Sequence, residues 1–308
     1  MCYAKKRMSK MKIILLVLLA FLFFTNVFSN PMTWPYMPAS DYFRGTVGER
    51  LYFDFSKKDK GSFYINDDLR YYHFKYYWDQ DENKCEYNSY SRLINIFSLG
   101  YTPFDKIQFS VRIPYVSLKN QSLSNSGLSD IFIGFSYQLM EISNRHLISF
   151  SSGIKLPVGY YKYEKDKLPL GTGSYDIPLI INTDFQFKNF QLFFDTGYIF
   201  TGKSEGLYPP YNVGEKFENG DEIFCDVALT KAFQLITMKL ETNFYYVFNS
   251  TPESPEWADS QSKLSIVPGI IIPLFIKNLQ LDLSYSFDIF GKHTFSGSSP
   301  VIRVHYHN

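Results

Sequence analysis

Five histidines are the side chains best suited to acid–base or metal chemistry in this sequence. His305 and His307 stand two apart, so an extended strand would place both imidazoles on one face, but no cysteine or carboxylate lies near in sequence to complete a ligand set. His146 could act as the base of a Ser–His pair, which needs nucleophile and base within hydrogen-bond reach. It opens an alternating segment without a hydrolase motif, G-x-S-x-G is absent, His73 and His305 are expected to point inward, and His293 falls in a loop. Catalysis, a bound metal and a cofactor are therefore not expected. Of three cysteines, Cys2 lies in an N-terminal export signal, Cys85 in an expected loop and Cys225 in an expected strand, a setting in which no disulfide is anticipated.

What remains is charge. Lys75, Arg112, Asp130, Lys155, Asp176, Asp184, Asp195, Glu222, Asp226, Lys239, Glu241, Asp282, Asp288 and Arg303 all recur on the polar side of segments whose other side is apolar. Mixed signs turned toward a narrow enclosed space can line a water path or close it. The elements that would hold them there are strands. From Leu279 to Ile289 the odd positions are Leu, Leu, Leu, Tyr, Phe and Ile, and the even ones Gln, Asp, Ser, Ser and Asp. A period of two separates an apolar from a wet face. Twelve segments share it, near 68–78, 91–101, 106–116, 128–139, 146–157, 174–186, 190–201, 221–232, 236–248, 262–274, 279–290 and 300–306. They are longer than the ~5–6 residues of soluble strands and suit the ~9–11 of a tilted membrane strand.

Connection lengths alternate. Short ones fall at 102–105, 141–145, 188–189, 233–235 and 275–278, and long ones at 79–90, 117–127, 158–173, 202–220, 249–261 and 291–299. Short periplasmic turns opposite long extracellular loops are the habit of outer-membrane barrels. An all-β, closed, antiparallel up-and-down transmembrane barrel of about 12 strands is expected. A soluble β-sandwich also alternates, but an open sheet edge in lipid would cost several kcal/mol for each unsatisfied group. The 25 Tyr and 30 Phe suit aromatic girdles. Pro114, Pro178, Pro268 and Pro273 each remove a ladder donor, so bulges or strand ends are expected there.

Mean hydropathy of −0.17 excludes a bundle of membrane helices, and a formal net charge of +1 leaves no basic surface for nucleic acid. Lys5, Lys6, Arg7, Lys10 and Lys12 precede an apolar run from Ile13 to Phe24 that is too short to span a bilayer, so residues 1–29 are expected to form a cleaved signal peptide. Residues 30–67, rich in proline at their start, are expected to be an N-terminal periplasmic or plug-like segment, and 68–308 the barrel.

Three motifs resemble the outer-membrane proteins of the meta-pathway phenol-degradation family: SGLSDIFIGFSYQL (Ser126 to Leu139), GIKLPVG (Gly153 to Gly159) and LGTGSYDIP (Leu170 to Pro178). The resemblance is good over roughly 100–200 and architectural elsewhere. It implies a barrel related in plan to hydrophobic-substrate uptake channels, hence passive passage of small, hydrophobic or aromatic solutes. Outer-membrane lipid and the barrel-assembly machinery would be partners. Physically, Gly127, Gly159, Gly171 and Gly173 are expected to supply positive φ where loops rejoin strands, and Pro157 to end a strand. Asp130, Lys155 and Asp176 would form a partly solvated ion-pair network on three consecutive strands. Tyr71, Phe132, Phe193, Phe224 and Tyr245 would offer inward apolar surface. Two other readings stay open. One is a binding or structural barrel working through the Tyr-rich loop around Cys85 and the acidic loop at 251–259; the other is an outer-membrane lipid hydrolase.

Overall fold

The computed structural model describes residues 60–78, 81–120, 123–142, 146–161, 167–205, 216–218, 220–248, 260–292 and 294–307. The expected signal peptide, residues 30–59 of the expected N-terminal segment and the acidic loop at 251–259 lie outside them. The strands are β1 (Phe63–Trp78), β2 (Lys84–Phe104), β3 (Ile107–Asn120), β4 (Leu123–Leu128), β5 (Ile131–Ile142), β6 (His146–Leu156), β7 (Asp176–Gln186), β8 (Gln191–Thr201), β9 (Lys203–Glu205), β10 (Lys216–Glu218), β11 (Glu222–Ala232), β12 (Thr237–Val247), β13 (Gln261–Pro273), β14 (Leu279–Lys292) and β15 (Thr294–His307). All pairings are antiparallel, and β1 pairs with both β2 and β15, so the sheet closes on itself. β4 and β5 lie end to end along β3, at Tyr115–Asn120 and Ile107–Arg112 respectively, and count as one broken strand. With the small β9–β10 hairpin set aside, twelve strands make the wall, the number expected.

The alternation does its work across that wall. Outward positions such as Leu99, Phe109, Ile133, Ile177 and Leu240 are exposed, Phe109 by 50%. That is a large apolar surface to leave in water, and it becomes favourable when lipid covers it. At the short-turn rim Phe104, Phe187, Phe190, Phe233 and Phe275 stand exposed beside their turns, with Phe187 and Phe190 stacked across one turn at 4.5 Å. These rings form a girdle at one interface.

Several boundaries differ from expectation. β1 begins at Phe63 rather than 68, β2 at Lys84, so Cys85 lies on a strand, and β15 at Thr294. The expected long connections at 117–127 and 291–299 are strand at 117–120, 123–127, 291–292 and 294–299. Tyr71 and Lys75 are outward and exposed, and His73 shares their side, because the inward face of β1 is Tyr64, Asn66, Asp68, Arg70 and Phe74, followed by a bulge between Phe74 and Tyr76. Pro273 ends β13 as expected. The other prolines produce gaps in one ladder rather than bulges: pairing skips from Ser152↔Leu179 to Lys155↔Asp176 beside Pro178, and from Ile266↔Phe287 to Gly269↔Ser284 beside Pro268. Pro114 lies where β3 changes partner from β5 to β4. A missing N–H costs one rung on one side, which a strand paired on both sides can bear.

Candidate functional site

The enclosed face of the barrel is divided by height. Toward the short-turn rim it is ionic. Asp68 on β1 and Asp282 on β14 both face Arg303 on β15 in register, with Arg303 nitrogens 3.1 and 3.0 Å from them. Arg70 lies 2.5 Å from Asp68, and Lys239 lies 2.6 Å from Asp282 and 3.5 Å from Glu241. Buried charge is costly unless paired and hydrogen-bonded, and that condition is met by the register pairing of Arg303 with both neighbouring strands, by Arg70 on the same strand as Asp68, and by Lys239 reaching across β13 to Asp282. His305 is buried below this lattice, its ring 6.3 Å from that of Tyr64 and 5.8 Å from that of His307.

Toward the long-loop rim the same wall is apolar. Phe74, Tyr90, Ile94, Ile96, Val116, Leu118 and Phe295 form one buried cluster on β1, β2, β3 and β15. Phe74 stacks on Tyr90 at 5.4 Å and meets Phe295 edge-on at 5.9 Å. Leu168 and Leu170, from the connection between β6 and β7, complete the cluster, with Tyr160 packed against it. That connection therefore folds inward over the lumen.

A polar latch holds it there. Asp130 sits in the break between β4 and β5 and accepts hydrogen bonds from the backbone N–H groups of Thr172 (2.8 Å) and Gly159 (3.2 Å) and from the Thr172 hydroxyl (3.0 Å). Lys155 on β6 donates to Thr172 and pairs with Asp176 at the start of β7, with Asp130 Oδ2 3.6 Å from its Nζ. Ser129 donates to the Leu170 carbonyl, and Asn125 donates to that of Leu168 at 2.5 Å. All three charges of the latch are 0% exposed. The expectation of a partly solvated network is thus corrected: the loop lies over it and excludes water, so each partner is needed to offset burial of the others.

Among the motif glycines only Gly173 has positive φ, at 73°. Gly127, Gly159 and Gly171 serve close approach instead. A Cβ on Gly159 would lie 2.9 Å from Ser129 Cα, and one on Gly171 would strike the Asp130 carboxylate. β6 stops at Leu156, directly before Pro157.

The other sequence-derived residues are spread around the wall. Asp195 and Asp226 are buried and face each other in register between Asn182 and Asn243, and Asp184 is buried on β7. Arg112 is half-buried, its guanidinium 5.8 Å from the Phe132 ring centre. Asp288 accepts from Ser265 at 2.6 Å and from Gly297 N at 3.0 Å, and lies 3.7 Å from Lys263. Phe132, Phe193, Phe224 and Tyr245 are buried inward. Sequence reasoning missed Asp68, Arg70, Arg92, Thr172 and Ser174. An Asp and an Arg two apart were the available signal for the first two. Among the described residues no group of three His, Cys, Asp or Glu side chains is arranged to hold a metal ion.

A closed twelve-stranded barrel with a lipid-facing belt and a charged, partly apolar interior defines the class: an outer-membrane-type β-barrel. The chain belongs to the family described as "Putative MetA-pathway of phenol degradation", whose pattern matches residues 91–304. The fold is similar to the COG4313 outer membrane channel from Pseudomonas putida F1, at 11% identity and TM-score 0.69, over 83% of this chain and 98% of that one. It is also similar to the translocator domain of the autotransporter NalP from Neisseria meningitidis, at 9% identity and TM-score 0.51, over 88% and 98%. No curated protein matches the sequence.

Proposed function

We propose that this protein is an outer-membrane channel through which small hydrophobic or aromatic compounds pass passively, with no catalysis. The observation that carries this reading is the two-part lumen: an apolar, ring-lined wall at the long-loop mouth, where a loop rests through two leucines, above a wall of paired charges. An apolar solute gains by leaving water for the first region, and mixed charges below give it no deep apolar trap. The related P. putida protein is described as an outer membrane channel, and the family description names phenol degradation. His146 packs against the rings of Phe185 and Phe187, at 5.4 and 6.0 Å, which favours a structural role over that of a hydrolytic base. Residues 1–29 act as the export signal and the segment up to the first strand as a periplasmic or plug-like leader.

Single-channel recording in a planar bilayer tests the reading. Discrete conductance steps are expected, with brief blockades when a small neutral aromatic solute such as benzyl alcohol is added. Folded, inserted protein that gives no steps, even with the latch broken by Lys155→Met, would overturn it.

A further inference from the structure

The inner wall is closed from water at side chains too short to fill the space before them. Asn66 on β1, Ser98 on β2 and Asp226 on β11 face inward and are 0% exposed. Phe193 and Ala228 pack together on β8 and β11 as a small apolar patch that is buried in the same way. Eight strands enclose a lumen that side chains alone fill, and twelve enclose a wider one. The ion pairs of the lattice run sideways along this wall, between strands adjacent or one apart. Burial on this scale therefore calls for a further length of chain inside the barrel.

The chain enters the wall at the short-turn rim, where Lys60 N donates to Asp105 Oδ1 at 3.2 Å and Gly61 N to the Thr102 carbonyl at 2.7 Å. Residues 30–59 precede that point once the expected signal is removed. Fully extended they would reach about 100 Å at ~3.3 Å per residue, roughly twice the run of the 16 residues of β1. Their composition also calls for cover. Seven of them are aromatic, with Tyr52, Phe53 and Phe55 in one short run, whereas segments that stay unfolded in water carry few rings. Four cations and four carboxylates accompany those rings, which suits a wall lined with both signs.

We infer that residues 30–59 fold back from the short-turn rim into the lumen and dock on its inner wall, with the rings of Tyr52, Phe53 and Phe55 directed to the Phe193–Ala228 patch, as a plug that narrows the path. The inference rests on the leader reading above and deepens it, choosing the lumen over the periplasm. Docking takes the rings out of water, which favours it in proportion to the apolar area covered, and solutes pass through the space that the segment leaves.

Photo-crosslinking and single-channel recording of the full chain test this. With Phe53→p-benzoylphenylalanine, and separately Tyr36→p-benzoylphenylalanine, irradiation of the folded, membrane-inserted protein is expected to join the segment to peptides that carry inward residues of the wall. Crosslinks from both positions to soluble proteins alone would overturn the proposal. A protease site inserted between Asp59 and Lys60 of the otherwise unaltered chain allows the segment to be cut away after the barrel has inserted. Conductance is expected to rise about twofold or more after cutting and perfusion, and to fall again when a synthetic peptide of residues 30–59 is added on the short-turn side. Steps of unchanged size after complete cutting would overturn this inference and leave the channel reading standing. Crosslinks to the inner wall in a chain that gives no steps before or after cutting would overturn the channel reading alone.

Discussion

Lys155 carries the charge balance of the upper lumen: one ammonium lies against the carboxylates of Asp130 and Asp176 where no water reaches. Lys155→Met should therefore strand two buried anions and cost about 3–5 kcal/mol, read as a lower unfolding temperature of the barrel. Combining it with Asp176→Asn should cost less than the sum of the single changes, because the second removes a charge that the first left unpaired. At this scale the period-two pattern was enough to bring the inward charges from Arg112 to Arg303 to notice. It failed at Tyr71 and Lys75, because Asp67 and Asp68 put charge on both faces of β1 and alternation alone cannot choose between them; Asp67 turns outward and accepts from Asn95 at 2.7 Å. Arg92 escaped notice because its inward neighbours are apolar and the segment there reads as core.

At the scale of elements the consequential feature is the break between β4 and β5, opposite Pro114. Ser129 N donates to the Pro114 carbonyl at 2.9 Å, and Asp130 turns from the ladder to receive the inward loop. Loop and break fit only because residue 159 has no side chain. Gly159→Val should lift the loop while leaving the ladders intact, and trypsin cleavage after the exposed Lys167 should become several-fold faster with no change in β-sheet circular dichroism. The sequence showed twelve strands because lipid selects an apolar outer face along each of them. It could not show how far they run beyond the lipid. Residues 84–90 and 294–299 carry polar residues on both faces, so their pattern does not distinguish a strand from a loop, and the inward packing of Tyr160, Leu168 and Leu170 depends on contacts far away in sequence.

For the whole molecule, nine buried carboxylates face six buried Lys and Arg side chains among the described residues. The excess of negative potential in a narrow lumen should favour cations. In a potassium chloride gradient the reversal potential of the open channel is expected to lie on the cation-selective side, and Asp195→Asn with Asp226→Asn should move it toward zero. The closed wall also gives its two ends an unusual relation. Asp68 and Arg303 are 235 positions apart, yet meet on neighbouring strands that join the beginning of the sheet to its end. Any alignment of β1 with β15 would satisfy their backbone groups, whereas a slip of one residue puts Asp68 and Arg303 on opposite faces and turns one of them into lipid. The pair thus acts as a proofreader of ring closure: an inverted pair, Asp68→Arg with Arg303→Asp, should assemble better than either single change, and misjoined cylinders should be discarded before they reach the finished wall.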